Sequence, residues 1–173
     1  MGSETVESAA HVVQKVIARL RQGRFTLGVA ESCTGGLLSS WITELPGVSD
    51  VFQGAVVAYA NRIKVEFLNV PEETLVSSGA VSVQTATAMA RGARERLGVD
   101  WAISITGVAG PSGGSPQKPV GTVCICISGP EFEGRGEPST EWAGMQHFAG
   151  DRRRIQETSA LFALKKLLEL LER

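Results

Sequence analysis

Val29-Ala-Glu-Ser-Cys-Thr-Gly-Gly36 ends an apolar run in small, polar and reactive side chains. With Phe25 to Ala30 read as a strand and Gly35 to Leu45 as a helix halted by Pro46-Gly47, Ser32, Cys33 and Thr34 fall at a strand-to-helix turn. The first N–H groups of a helix have no intrahelical acceptor, so such a turn can hold an oxyanion or a phosphate. A strand feeding directly into a helix is also the building unit of an α/β domain.

Working outward, the stretch from Glu4 to Gln22 carries Val12, Val13, Val16, Ile17 and Leu20 at helical spacing, and Gly23 is expected to form a left-handed cap. Downstream, Gly54 to Tyr59 is continuously apolar and is expected to be a central strand covered on both faces. Asn61 is expected to cap a short helix through Leu68, and Pro71 to Val76 to form a turn of helix. Ser82 reads as the N-cap of a helix running to Leu97 and closed by Gly98. Trp101 to Thr106 is a strand that opens into a Gly- and Pro-rich loop, Gly107 to Pro119. Val120 to Ser128 is the next strand, Gly129 to Pro138 a polar connection, and Ser139 to Phe148 another strand. An amphipathic helix, Asp151 to Leu171, closes the chain. The last three strands follow one another without helical crossovers, so the expected fold is a single α/β domain over 1-173, a three-layer α/β/α sandwich whose sheet is mixed and mainly parallel.

Composition narrows the functional classes. The 173 residues are 43% hydrophobic, enough for a continuous core in one domain. A formal net charge of -1 gives no whole-molecule attraction to nucleic acid or to an acidic membrane. No apolar run approaches the ~20 residues that cross a bilayer. Three cysteines, without metal-ligand spacing or a signal peptide, point to a reduced, cytoplasmic setting. Cys124 and Cys126 fall on one face of a strand as small core residues.

Four segments can carry chemistry. In the turn, either Ser32 or Cys33 can attack a carbonyl if a neighbour accepts the proton; equally, Cys33 can be a packing residue and Ser32 or Thr34 a helix cap. His11 and His147 are the only histidines, and neither is placed by sequence to serve as that neighbour. Tyr59-Ala-Asn-Arg-Ile-Lys64 begins where an apolar strand ends. A desolvated Lys64 can act as general base with the Tyr59 phenol assisting, or it can be an ordinary surface lysine. The loop after Thr106 lies beyond a strand end, where α/β sheets bind ligands, yet it matches neither a P-loop nor a dinucleotide fingerprint. At Gly150-Asp-Arg-Arg-Arg154, Asp151 is a good N-cap, and three cations at the positive end of a helix would be relieved by an anionic ligand. Arg153 and Arg154 can equally be solvated or paired with Glu157.

Taken together, Ala30-Glu-Ser-Cys-Thr-Gly-Gly36, Val57-Ala-Tyr-Ala-Asn-Arg-Ile-Lys64, Ala80-Val-Ser82, Thr106-Gly-Val-Ala-Gly-Pro111, Lys118-Pro-Val-Gly121 and Gly150-Asp-Arg152 resemble the CinA carboxy-terminal domain family in its stand-alone, nicotinamide-nucleotide amidase form. The resemblance implies hydrolysis of nicotinamide mononucleotide to nicotinic acid mononucleotide and ammonia, a step of pyridine nucleotide salvage, with no metal or organic cofactor. It implies Ser32 as nucleophile, Lys64 as general base and Tyr59 as assisting hydroxyl. The N–H groups around Thr34, Gly35 and Gly36 would receive the oxyanion. Cys33, Asn61, Thr106, Gly107, Ala109, Gly110 and Arg152 would complete the substrate site. Ala60 departs from the Ser or Asp common in the family, and the larger amino-terminal domain of longer CinA proteins is expected to be absent. A homo-oligomer, most simply a dimer, is expected. Two other readings stay open: a catalytically silent nucleotide-binding or competence-related accessory module, and a Cys33 thiol hydrolase.

Overall fold

A computed structural model describes residues 8–131 and 140–172. In chain order the elements are α1 (Ala9–Gly23), β1 (Leu27–Glu31), α2 (Leu37–Thr43), β2 (Phe52–Val57), α3 (Asn61–Leu68), α4 (Glu72–Ser78), α5 (Val83–Leu97), β3 (Trp101–Gly107), β4 (Thr122–Ser128), β5 (Glu141–His147) and α6 (Arg152–Leu171). The start of the first expected helix, most of the 129–138 connection and the Ser139 start of the last strand lie outside the described residues.

One five-stranded sheet runs in the order β2-β1-β3-β4-β5. The β2-β1 and β1-β3 pairings are parallel, and the β3-β4 and β4-β5 pairings antiparallel. The sheet is therefore mixed, and every strand except β4 runs in the same direction.

Side-chain alternation decides which helix covers which face. Leu27 and Val29 of β1, Trp101, Ile103 and Ile105 of β3, and Val123, Ile125 and Ile127 of β4 pack with α1, α2 and α6. The alternate positions are small: Ala30, Ala102, Cys124 and Cys126 lie against α3 and α5. Small strand residues let the Ala-rich α5 come close, and Ser104 Oγ donates to the Ala86 carbonyl at 2.5 Å. Gly92 of α5 sits so near α3 that a Cβ there would overlap the Leu68 carbonyl oxygen. Cys124 and Cys126 are buried core residues, as their spacing indicated, and desolvation pushes their thiols up to about 11 and about 12.

Four expectations need correction. β2 is an edge strand with alternating exposure, not a central one: among the described residues only β1 pairs with it, Phe52 and Val56 pack against the cores on the two faces of the sheet, and Val57 is left 45% exposed. Asn61 is the first residue of α3, while the N-cap is Ala60, which has no side-chain cap bond. The left-handed residue after α1 is Arg24, at φ 56°, whereas a Cβ on Gly23 would meet the Phe25 ring at 2.5 Å. Finally, α2 starts at Leu37 because Gly35 and Gly36 have φ of 63° and 97°, outside helical space. Ser82 and Asp151 do cap α5 and α6, accepting from Thr85 and Arg154 N–H.

Candidate active site

The site forms at the carboxyl ends of β1 and β3, where strand geometry separates neighbouring side chains. Ser32 N–H donates to the Ile105 carbonyl at 2.9 Å, so the ladder continues one residue past β1. Alternation then sends Glu31 toward α2 and Ser32 to the opposite face, where α3 carries Lys64. Lys64 is 1% exposed. Its Nζ lies 3.1 Å from Ser32 Oγ, 2.8 Å from the Ala58 carbonyl oxygen and 3.3 Å from the Tyr59 carbonyl oxygen.

Burial pulls the Lys64 ammonium below the usual lysine value of 10.5, with proximity to Cys33 acting weakly the other way. The three partners define what a neutral amine does here. Two are carbonyls, which only accept, so they take both N–H groups and leave the nitrogen lone pair facing the Ser32 hydroxyl. That is the arrangement a general base needs. Cys33, next along, is 5% exposed, and desolvation pushes its thiol up to about 12. A thiol held protonated is a poor nucleophile, whereas the Ser32 hydroxyl has the Lys64 amine at 3.1 Å to take its proton, and that contact favours the oxygen over the sulfur in this turn.

A cavity of about 270 Å³ opens over the pair. Of the residues singled out from sequence, Ser32, Cys33, Tyr59, Asn61, Lys64, Thr106, Gly107, Ala109, Gly110 and Arg152 all line it. Thr106 is fixed by donating to the Ala80 carbonyl at 2.8 Å. Arg152 spans the cavity: one end of its guanidinium donates to the Gly110 carbonyl at 2.8 Å and the other to the Tyr59 hydroxyl at 3.0 Å. Both acceptors are neutral, and among the described residues no carboxylate pairs with Arg152. By contrast, Arg153 pairs with Glu157 at 2.6 Å, as its spacing allowed. The Tyr59 hydroxyl is thus turned to Arg152, and Tyr59 reaches Lys64 through its main-chain carbonyl.

The oxyanion donors require revision. Gly35 N–H donates to the Ser32 carbonyl at 3.1 Å, and Gly36 N–H to Glu31 Oε2 at 3.1 Å, so neither glycine amide is open to a ligand. Neither Gly35 nor Gly36 lines the cavity, and nor does Thr34. The Thr34 hydroxyl is buried without a hydrogen-bond partner. Sequence reasoning also passed over Glu31 and Gln156. Gln156 Nε2 donates to the Cys33 carbonyl at 2.9 Å and ties the turn to α6. The available signal for Glu31 was a charged residue directly continuing an otherwise apolar strand; for Gln156 there was none.

Fold and site together describe a three-layer α/β domain with a buried serine–lysine pair at the floor of a polar cavity. The chain belongs to the CinA C-terminal domain family, whose model matches residues 9–171. It is 46% identical over 162 residues to a CinA-like protein of Thermotoga maritima, covering 92% of this chain and 37% of that protein. A CinA-like protein of Geobacter metallireducens is 43% identical over 95% of this chain and 38% of its own length. The chain thus spans less than two-fifths of these curated relatives. Among solved structures, a competence-damaged protein (CinA) superfamily member from Enterobacter cloacae superposes with a TM-score of 0.89 at 30% identity, covering 99% of this chain and 96% of its own. The competence/damage inducible protein CihA from Agrobacterium tumefaciens gives 0.84 at 34% identity, over 95% and 96%. No described helix is long and apolar enough to cross a membrane.

Proposed function

We propose that this domain is an amidohydrolase converting nicotinamide mononucleotide and water to nicotinic acid mononucleotide and ammonia. The observation that carries the reading is the 3.1 Å approach of a fully buried Lys64 amine to Ser32 Oγ. Ser32 Oγ attacks the carboxamide carbon while Lys64 Nζ takes the hydroxyl proton. The tetrahedral intermediate collapses as Lys64 returns that proton to the leaving nitrogen, and ammonia departs. Water, deprotonated by Lys64, then attacks the acyl ester; the second tetrahedral intermediate collapses as Lys64 returns that proton to Ser32 Oγ, which releases the acid nucleotide and restores the neutral amine. Every step is a proton transfer or an acyl transfer, so no redox partner is required.

Arg152 supports a nucleotide over a free base. An exposed cation at the first turn of a helix, bonded only to neutral acceptors, suits a phosphate, and Asn61 and the Thr106 to Gly110 segment suit the ribose and ring. The decisive assay incubates the purified protein with nicotinamide mononucleotide and quantifies both products. Equal amounts of ammonia and acid nucleotide are expected from the wild type. Unchanged substrate, or substrate bound without product, would replace this reading with that of a silent binding module.

A further inference from the structure

Glu31, the last residue of β1, is completely buried, yet it does not line the cavity. Its Oε2 accepts from the N–H groups of Gly36 and Leu38, each at 3.1 Å. Its Oε1 accepts from Ser39 N–H at 2.9 Å and from the Ser39 hydroxyl at 2.5 Å. The main chain of the same residue reaches the other half of the site. Ala58 N–H donates to the Glu31 carbonyl at 2.7 Å, and the Ala58 carbonyl holds Lys64 Nζ at 2.8 Å.

We propose that Glu31 is the positioning residue of the serine–lysine pair: its carboxylate pins the glycine turn that aims Ser32 and, by filling the start of α2, leaves the oxyanion to the amide of Cys33, the residue of the turn that lines the cavity beside Ser32. The inference rests on the amidase reading for its catalytic consequence. Its structural part stands on the contacts alone.

The chemistry around the carboxylate is one-sided. Three of its four partners are main-chain N–H groups, which cannot reverse direction, and only a group offering acceptors at both ends satisfies them. A glutamine would present an NH2 to at least one of these donors. The turn also needs such an anchor, because Gly35 and Gly36 have no side chains to pack and occupy left-handed conformations. With the carboxylate gone, the turn can sample many arrangements while the cavity walls at Tyr59, Gly110 and Arg152 stay in place. Loss of Glu31 is therefore expected in the chemical step and not in substrate affinity. The Cys33 N–H, which directly follows the nucleophile, donates neither to the Glu31 carboxylate nor to a described backbone carbonyl.

The test compares wild type, Glu31→Gln, Ser39→Ala and a remote core control, Leu170→Ala, in two assays. With nicotinamide mononucleotide, Glu31→Gln is expected to lower kcat about 100-fold with KM within about threefold, the loss that a misplacement near 1 Å produces. In parallel, an alkyl fluorophosphonate is used to phosphonylate Ser32, read by mass spectrometry, which needs no amidase activity. Glu31→Gln is expected to slow this labelling by a similar factor, Ser39→Ala by a few-fold, and Leu170→Ala not at all. If wild type labels at Ser32 but leaves the nucleotide intact, the amidase reading fails and the labelling rates still decide the role of Glu31. Labelling of Glu31→Gln at the wild-type rate, or a rise in KM with kcat preserved, would overturn the proposal. Should Glu31→Gln not fold, an unchanged labelling rate in Ser39→Ala would overturn it instead.

Discussion

Ser32 and Cys33 are adjacent, yet their surroundings give them opposite chemistry. The hydroxyl meets an amine whose ammonium form is disfavoured by burial, whereas the thiol is held protonated by desolvation up to about 12. Cys33→Ala should therefore keep turnover within a few-fold of wild type and lose stability by roughly 1 kcal/mol, read by denaturant unfolding alongside the product assay. Lys64 also gives a pH signature. As a base it works neutral, so kcat/KM should rise with pH and level off at a pKa below 10.5. Its folded-state pKa is depressed, so between that value and 10.5 the unfolded chain binds the extra proton and stability climbs as pH rises. Below the folded pKa the burial penalty is fully present. Lys64→Met removes that penalty, so its stability advantage or deficit relative to wild type should shift steadily in favour of wild type as pH rises toward 10.5 in paired unfolding titrations.

At the scale of elements, the site depends on close approach between backbones. α5 packs on a strip of small strand residues, and α3, which carries Lys64, packs on α5 through Gly92. Gly92→Ala should destabilise the domain by at least about 2 kcal/mol, measured by urea unfolding, because the Leu68 main chain cannot yield as a flexible side chain would. Most elements were legible in the sequence, since helical spacing in α1, the Ser82 and Asp151 caps and the apolar β3 and β4 runs all have local causes. What was not legible was non-local. An apolar run such as Gly54 to Tyr59 suits a central strand, but whether another strand pairs with its outer edge depends on topology and not on its own residues. Likewise Gly23 read as a cap because glycine favours that role, although it is the Phe25 ring that excludes a side chain there.

The whole molecule brings the end of β1, the start of α3, the loop after β3 and the first turn of α6 to one end of the sheet. The candidate cavity residues were legible as separate segments, and the fold unites them around one space. The ownership of each amide at the turn was not legible. It followed from Glu31, whose carboxylate claims Gly36, Leu38 and Ser39 from the inside. A pair that shares one proton should act as a unit, so its members cannot contribute independently. The most direct test is a double-mutant cycle on kcat/KM for nicotinamide mononucleotide, using Ser32→Ala, Lys64→Ala and the double variant. The expected result is a loss of roughly 1,000-fold or more for each single change and no further loss for the double. Full turnover by Ser32→Ala, or single losses that multiply in the double variant, would contradict a serine nucleophile activated by Lys64.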